Sequence, residues 1–217
     1  MSDVNTSMGY LVPLLSFVLL SGCGFVREVH DPIRTYALEI DGGDSGEESR
    51  VSPDMESLSS LLIGVPQPAP GFESSRMAYV QVPHELNYFA TSQWVESPAR
   101  MLAPLLLQRL ERSGMWSSII SMPTSIRGDY RLDLTNVLLV QNFVREPSRM
   151  RLALRSQLVN IKDRQVIGTR NFESVEEALS EDAYGGVLAA QQLVSRLLDD
   201  LMNWLVGCLQ EDSSARC

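Results

Sequence analysis

The residue types that carry out protein chemistry are scarce in this chain, which holds 3 Cys and 2 His in 217 residues. The histidines, His30 and His84, stand in no ligand-type spacing to a cysteine, so no metal is expected. Ser117, Ser118 and Ser121 lie in no nucleophile-elbow context, and the carboxylates fall mainly in loops and helix starts. No glycine-rich phosphate loop is present. The expectation is therefore a protein that is not an enzyme, with no catalytic residues and no cofactor. One cysteine stands apart. Cys23 ends the run Leu20-Ser21-Gly22-Cys23, which closes an apolar stretch from Tyr10 to Leu20. That stretch is too short to span a bilayer but matches the apolar region of a secretory signal.

Small residues leading directly into a cysteine resemble the bacterial lipobox. In that chemistry the sulfur is acylated, the signal is cut just before the cysteine, and the new amino terminus takes another acyl chain. Residues 1–22 would be removed, Cys23 would become the first residue, and residues 23–33 would form a lipidated tether. Each buried CH₂ contributes about 0.8 kcal/mol and one chain alone binds marginally, so several chains on one cysteine make attachment effectively permanent. The rival readings are an ordinary secretory signal or a short buried segment that happens to end in Cys, since the first nine residues carry Asp3 and no Lys or Arg, where a signal normally begins positive. Gly24, and not Asp, follows the cysteine. Under the usual sorting rule for bacterial lipoproteins, this favours the periplasmic face of the outer membrane.

The totals fit one globular domain: 44% hydrophobic and 21% charged residues, and a length able to bury about 70% of the unfolded surface. A net charge of −9 argues against a nucleic-acid partner. Cys208 and Cys217 are the remaining cysteines. In an oxidising compartment they would close a short loop; otherwise Cys208 packs as a small apolar residue while Cys217 frays at the terminus.

The domain is expected over residues 34–210, with an acidic loop at 41–56 and a tail at 211–217. Strands are read at Arg34–Ile40, at Ser60–Val65 followed by a stiff connection through Pro66, Pro68 and Pro70, at Arg76–Val82, and at its hairpin partner Leu86–Ala90. Ser97-Pro98 opens a helix by hydroxyl capping, Pro104 bends it or delays its regular start, and Gly114 closes it. Ile119-Ile120 begins a short strand. Asp129–Phe143 then reads as a long one, in which the apolar phase slips near Asn136 as at a bulge. Two further strands, from about Met150 and from Gln165 to Phe172, complete three consecutive antiparallel strands. From Tyr184 a helical stripe runs to Cys208, with Gln191 as its polar exception and Glu181 and Asp182 at its start. The expected fold class is α+β, a twisted, mainly antiparallel sheet with two helices packed on one face.

Several stretches taken together resemble the ABC-type transport auxiliary lipoproteins, the PqiC-like family of membrane-integrity transport subunits. They are the lipobox at Cys23, the strand TYALEI, the span from LLIGVPQPAP through YVQVPHELNYFATSQWVESPARMLAPLLLQRL, the segment GDYRLDLTNVLLVQNF with the Arg-studded strand after it, and the terminal helix. The likeness covers roughly Arg34 to Leu205. It implies a non-catalytic periplasmic accessory of an ABC transporter. Such a subunit works with an MCE-domain protein in moving lipids between the inner and outer membranes, and a homo-oligomeric ring suits so symmetric a partner. The rival class is a structural or assembly lipoprotein supporting another outer-membrane component.

Two sets of side chains are candidate contacts. Residues 127–170 hold nine bases against four acids, whereas residues 28–96 hold three bases and twelve acids. Arg131, Arg149, Arg151 and Arg155 would offer guanidinium forks to lipid phosphates or an acidic partner. Alternatively they belong to a solvated sheet face crossed by ion pairs. Tyr88, Phe89 and Trp94 would line an apolar groove for an acyl chain or partner helix, or else form part of the core.

Overall fold

The computed structural model describes residues 32–39, 59–209 and 217. Cys23 and the 41–56 loop therefore lie outside the described residues. Among the described residues, eight strands form one mixed sheet: β1 (Arg34–Tyr36), β2 (Leu61–Ile63), β3 (Arg76–Val80), β4 (Asn87–Trp94), β5 (Ile119–Ser121), β6 (Tyr130–Asn142), β7 (Arg149–Asn160) and β8 (Gln165–Glu177). Two helices, α1 (Pro98–Ser113) and α2 (Ala183–Leu209), complete the α+β fold.

The sheet is built around β6. One edge of β6 pairs along its length with β7, which pairs in turn with β8, giving the expected antiparallel trio. Its other edge is shared. The first half pairs in parallel with β2, which continues in parallel to β5; the second half pairs in parallel with β3, which continues to β4 and β1. The long ladders are thus antiparallel, as expected, and the short ones mostly parallel. The β6–β7 register shifts between Thr135 and Leu138, and Asn136 takes a positive φ of 54°, so the apolar phase slip in the sequence is a bulge.

The proline-rich connection runs beside β6 across this division. Gly64, Gln67 and Ala69 donate their backbone N–H groups to Leu132, Leu134 and Val137, at 2.8, 2.9 and 2.9 Å. Pro66, Pro68 and Pro70 alternate with Gln67 and Ala69, so the residues lacking an N–H sit where no donor is called for.

Both helices cover one face. α1 packs on β5 and β6, α2 on β7 and β8, and the ion pair Arg109–Asp199 joins the helices. Leu132, Leu134, Val137 and Leu139 of β6, Met150, Leu152, Leu154 and Leu158 of β7, and Leu193, Leu197, Leu201 and Leu205 of α2 share the core. Gln191, the break in the α2 stripe, reaches the β1 side. Its Oε1 accepts the Glu39 N–H at 2.7 Å and its Nε2 donates to the Ala37 carbonyl at 3.3 Å, which satisfies backbone at the sheet edge.

The helix ends correct one expectation. Ser97 makes no side-chain cap; its carbonyl instead accepts from Arg100 and Met101, and Pro98 in the first turn removes one donor that needed satisfying. Gly114 closes α1 in the left-handed conformation at φ 63°, as expected. At the start of α2, Asp182 Oδ1 accepts the Gly185 N–H at 2.8 Å and the Ser180 hydroxyl at 2.7 Å. The Gly185 N–H first, then the Ser180 hydroxyl and the nearby Arg34, hold the Asp182 carboxyl below its ordinary value of 3.8. The unfolded chain then binds its proton more readily than the folded one, so the cap stabilises above about pH 4 and is lost as pH falls further. Asp182→Ala is expected to cost about 0.5–2 kcal/mol near neutrality. In thermal melts the gap to wild type should close below pH 4, and a gap unchanged down to pH 3 would refute a charged cap.

Candidate functional site

With both helices on one face, the opposite face of β6, β7 and β8 carries no described element, and strand alternation decides what it displays. Along β7, Met150, Leu152, Leu154, Ser156 and Leu158 point inward and are buried, so Arg149, Arg151, Arg155 and Gln157 point outward. The register sets Arg149 opposite Glu177, Arg155 between Thr135 and Asn171, and Gln157 opposite Thr169.

Three of the four candidate arginines are engaged in ion pairs. Arg131 Nε bonds Asp133 on its own strand at 2.8 Å, and Arg149 bonds Glu177 at 2.8 Å. Arg151 forks onto Glu173 two pairs along the ladder, at 2.8 and 3.0 Å. That fork holds the Glu173 carboxyl below its ordinary range and raises the guanidinium's pKa. The pairs are substantially exposed, so each contributes at most about 1 kcal/mol. Arg155 differs: it is exposed, flanked by Thr135 and Asn171, and forms no ion pair among the described residues.

The curl of the sheet divides these arginines between two depressions. The larger, of about 600 Å³, lies between the outer faces of β6 and β7 and the proline-rich connection; Arg131 and Arg155 supply its charge, and Val65, Met122 and Pro123 its apolar side. Gly64 leaves room there, because a Cβ would crowd Asp133 Oδ1 and shift the carboxylate that holds Arg131. Nothing in the sequence around Gly64 marked it as part of the site. The smaller depression, of about 380 Å³, collects Arg145, Arg149 and Arg151 with His84, Val144 and Val175. Arg151 and Arg155 are four residues apart on one strand, about 13 Å along it.

The three aromatics form no common groove. Trp94 is 1% exposed and belongs to the core. Tyr88 and Phe89 are consecutive on β4, and adjacent strand residues face opposite sides. The Tyr88 hydroxyl donates to the Gly71 carbonyl at 2.9 Å, and the Arg76 guanidinium lies 3.8 Å over its ring. Phe89 instead packs against Tyr79 at 4.8 Å and Phe143 at 6.3 Å, an aromatic cluster that spacing within one strand could not reveal.

At the other end of the chain, Cys208 and Cys217 form a disulfide, which resolves the choice the sequence left open. It lies against β8 where Gly168 has no side chain; a Cβ there would come 2.9 Å from Cys217 Cβ.

A family model described as the ABC-type transport auxiliary lipoprotein component matches residues 45–202. Among solved structures, protein XCC0632 from Xanthomonas campestris is similar at 22% identity with a TM-score of 0.68, over 83% of this chain and 99% of that one. An uncharacterized protein matches at 11% identity and a TM-score of 0.59, over 81% of this chain and 99% of its own. At these identities the likeness concerns the fold alone. No curated protein matches the chain.

Proposed function

Because the chain belongs to the family of ABC-type transport auxiliary lipoprotein components, matched across residues 45–202, we propose that it is a non-catalytic accessory subunit of an ABC/MCE-type system that moves lipids between the inner and outer membranes. Acylation of Cys23 holds it to the periplasmic face of the outer membrane. The family match carries this reading; the lipobox order at Cys23 supports the anchor. The outer sheet face supports a docking role. It bears no described helix, and its larger depression combines an apolar wall with Arg155, a guanidinium that no acid neutralises among the described residues. A cation so placed suits an acidic surface on a partner protein or a lipid phosphate.

The test is crosslinking of the full-length protein in envelope membranes, followed by mass spectrometry of what it captures. An MCE-domain protein is expected among the partners, and Arg155→Glu is expected to reduce its recovery severalfold at an unchanged melting temperature. Capture of outer-membrane assembly proteins alone would replace the transport reading with that of an assembly lipoprotein.

A further inference from the structure

Exposed apolar side chains gather at one end of the sheet. Ile33 is 60% exposed immediately before β1, Leu179 is 75% exposed between β8 and α2, and Tyr184 is 51% exposed in the first turn of α2. Val82, at 54%, and Val144, at 42%, lie in the β3–β4 and β6–β7 turns. These loops share a location. Val80 pairs with Asn142 and accepts the Phe143 N–H, which brings the β3–β4 and β6–β7 turns together. Ala178 donates to the Ser148 carbonyl and Ser148 to Glu181 Oε1, which ties the β6–β7 turn to the segment carrying Leu179. The Tyr36 and Tyr184 rings are 6.1 Å apart, and Arg34 is near enough to Asp182 to favour its charged form, so the short strand β1 lies there too.

Single exposed apolar residues are ordinary, but five converging at one end of a domain, four on loops and one in the first turn of α2, call for an occupant. Chain length says which. Ten residues separate Cys23 from Ile33, a reach of at most about 35 Å when fully extended. An acylated Cys23 therefore keeps Ile33, and the end that bears it, within about 35 Å of the bilayer.

We propose that this end is the face the domain lays on the membrane, with Leu179, Val144 and Tyr184 entering the boundary between headgroups and acyl chains. The proposal rests on the anchoring of Cys23. Arg145 on the β6–β7 turn, which forms no ion pair among the described residues, meets lipid phosphates beside them. The anchor then sets distance and the apolar loops set orientation, placing the smaller basic depression at the bilayer and leaving the larger one, with Arg131 and Arg155, farther along the sheet for a protein partner.

The experiment uses the full-length lipoprotein reconstituted into vesicles of phosphatidylethanolamine and phosphatidylglycerol. With Cys23 acylated and Cys208 paired to Cys217, a cysteine introduced by Leu179→Cys or Val144→Cys offers a free thiol for an environment-sensitive fluorophore. Val166→Cys, 49% exposed beside the β7–β8 turn at the opposite end, is the reference. Labels at 179 and 144 are expected to shift their emission to the blue and to be quenched by spin-labelled lipid, while the label at 166 stays in water. Vesicle-bound protein with position 179 as hydrated as 166 would overturn the proposal and leave the anchor intact. Protein that fails to float with the vesicles would overturn the anchor, and this orientation with it.

Discussion

Replacement of Trp94 by Ala is expected to lower the stability of the domain by about 3–5 kcal/mol, the usual cost of deleting a buried large aromatic. The side chain is 1% exposed and sits in the core that both helices cover. Its strand position is fixed from both sides, since Trp94 lies in register with Tyr36 of β1 and donates its N–H to the Ser75 carbonyl at 2.7 Å. For a domain of this size each kcal/mol moves the melting temperature by about 2–4 °C, so the drop is readily measured by calorimetry. A groove residue would behave otherwise, with partner or lipid affinity falling while the melting temperature stayed put. Trp94→Phe keeps the test decisive if the alanine variant does not fold, because it retains most of the buried area and should cost much less than the alanine change. A melting temperature for Trp94→Phe equal to wild type, together with lost binding, would contradict the core assignment.

What the sequence revealed follows the range of the interactions involved. The bulge at Asn136 was legible because a shift of phase within one strand is a local pattern, and the antiparallel trio was legible because short turns join its strands. The α2 stripe showed its length and buried side, and even its exception, Gln191, was visible as a polar residue at an apolar position. Its reason was not, because Ala37 and Glu39 lie more than 150 residues away. The same limit hid the parallel placement of β2 between β5 and β6, since no local pattern names a partner strand. Among the candidate residues, alternation along β7 correctly set Arg149, Arg151 and Arg155 on one side. Which of them stays unpaired depends on the register of β8. Glu177 and Glu173 meet Arg149 and Arg151, whereas Asn171 falls opposite Arg155. A slip of two residues would have changed that distribution. Tyr88, Phe89 and Trp94 misled for a related reason: closeness in a strand sequence alternates faces and says nothing of depth.

Cys23→Ala is expected to move the protein from the membrane fraction to the soluble fraction almost completely, with the folded domain unchanged. The magnitude comes from the acyl chains. At about 0.8 kcal/mol per buried CH₂, several chains exceed by far what a few exposed apolar loops can supply, and a single chain is already only marginal. The domain should not register the change, because among the described residues the strands begin at Arg34 and the core draws on Leu38 and residues beyond Ser60. Envelope fractionation after a high-salt wash separates lipid anchoring from adhesion to a partner, and the mass of the Cys23 peptide in the wild type should carry the added chains. A Cys23→Ala protein that still sediments with washed membranes would place attachment elsewhere. A wild-type peptide without acyl chains would reduce the Leu20–Cys23 order to an ordinary secretory signal. If instead the variant is soluble, melts at the wild-type temperature and no longer captures its envelope partner, then tethering is itself part of the activity, since it raises the local concentration of a docking face whose individual contacts are weak.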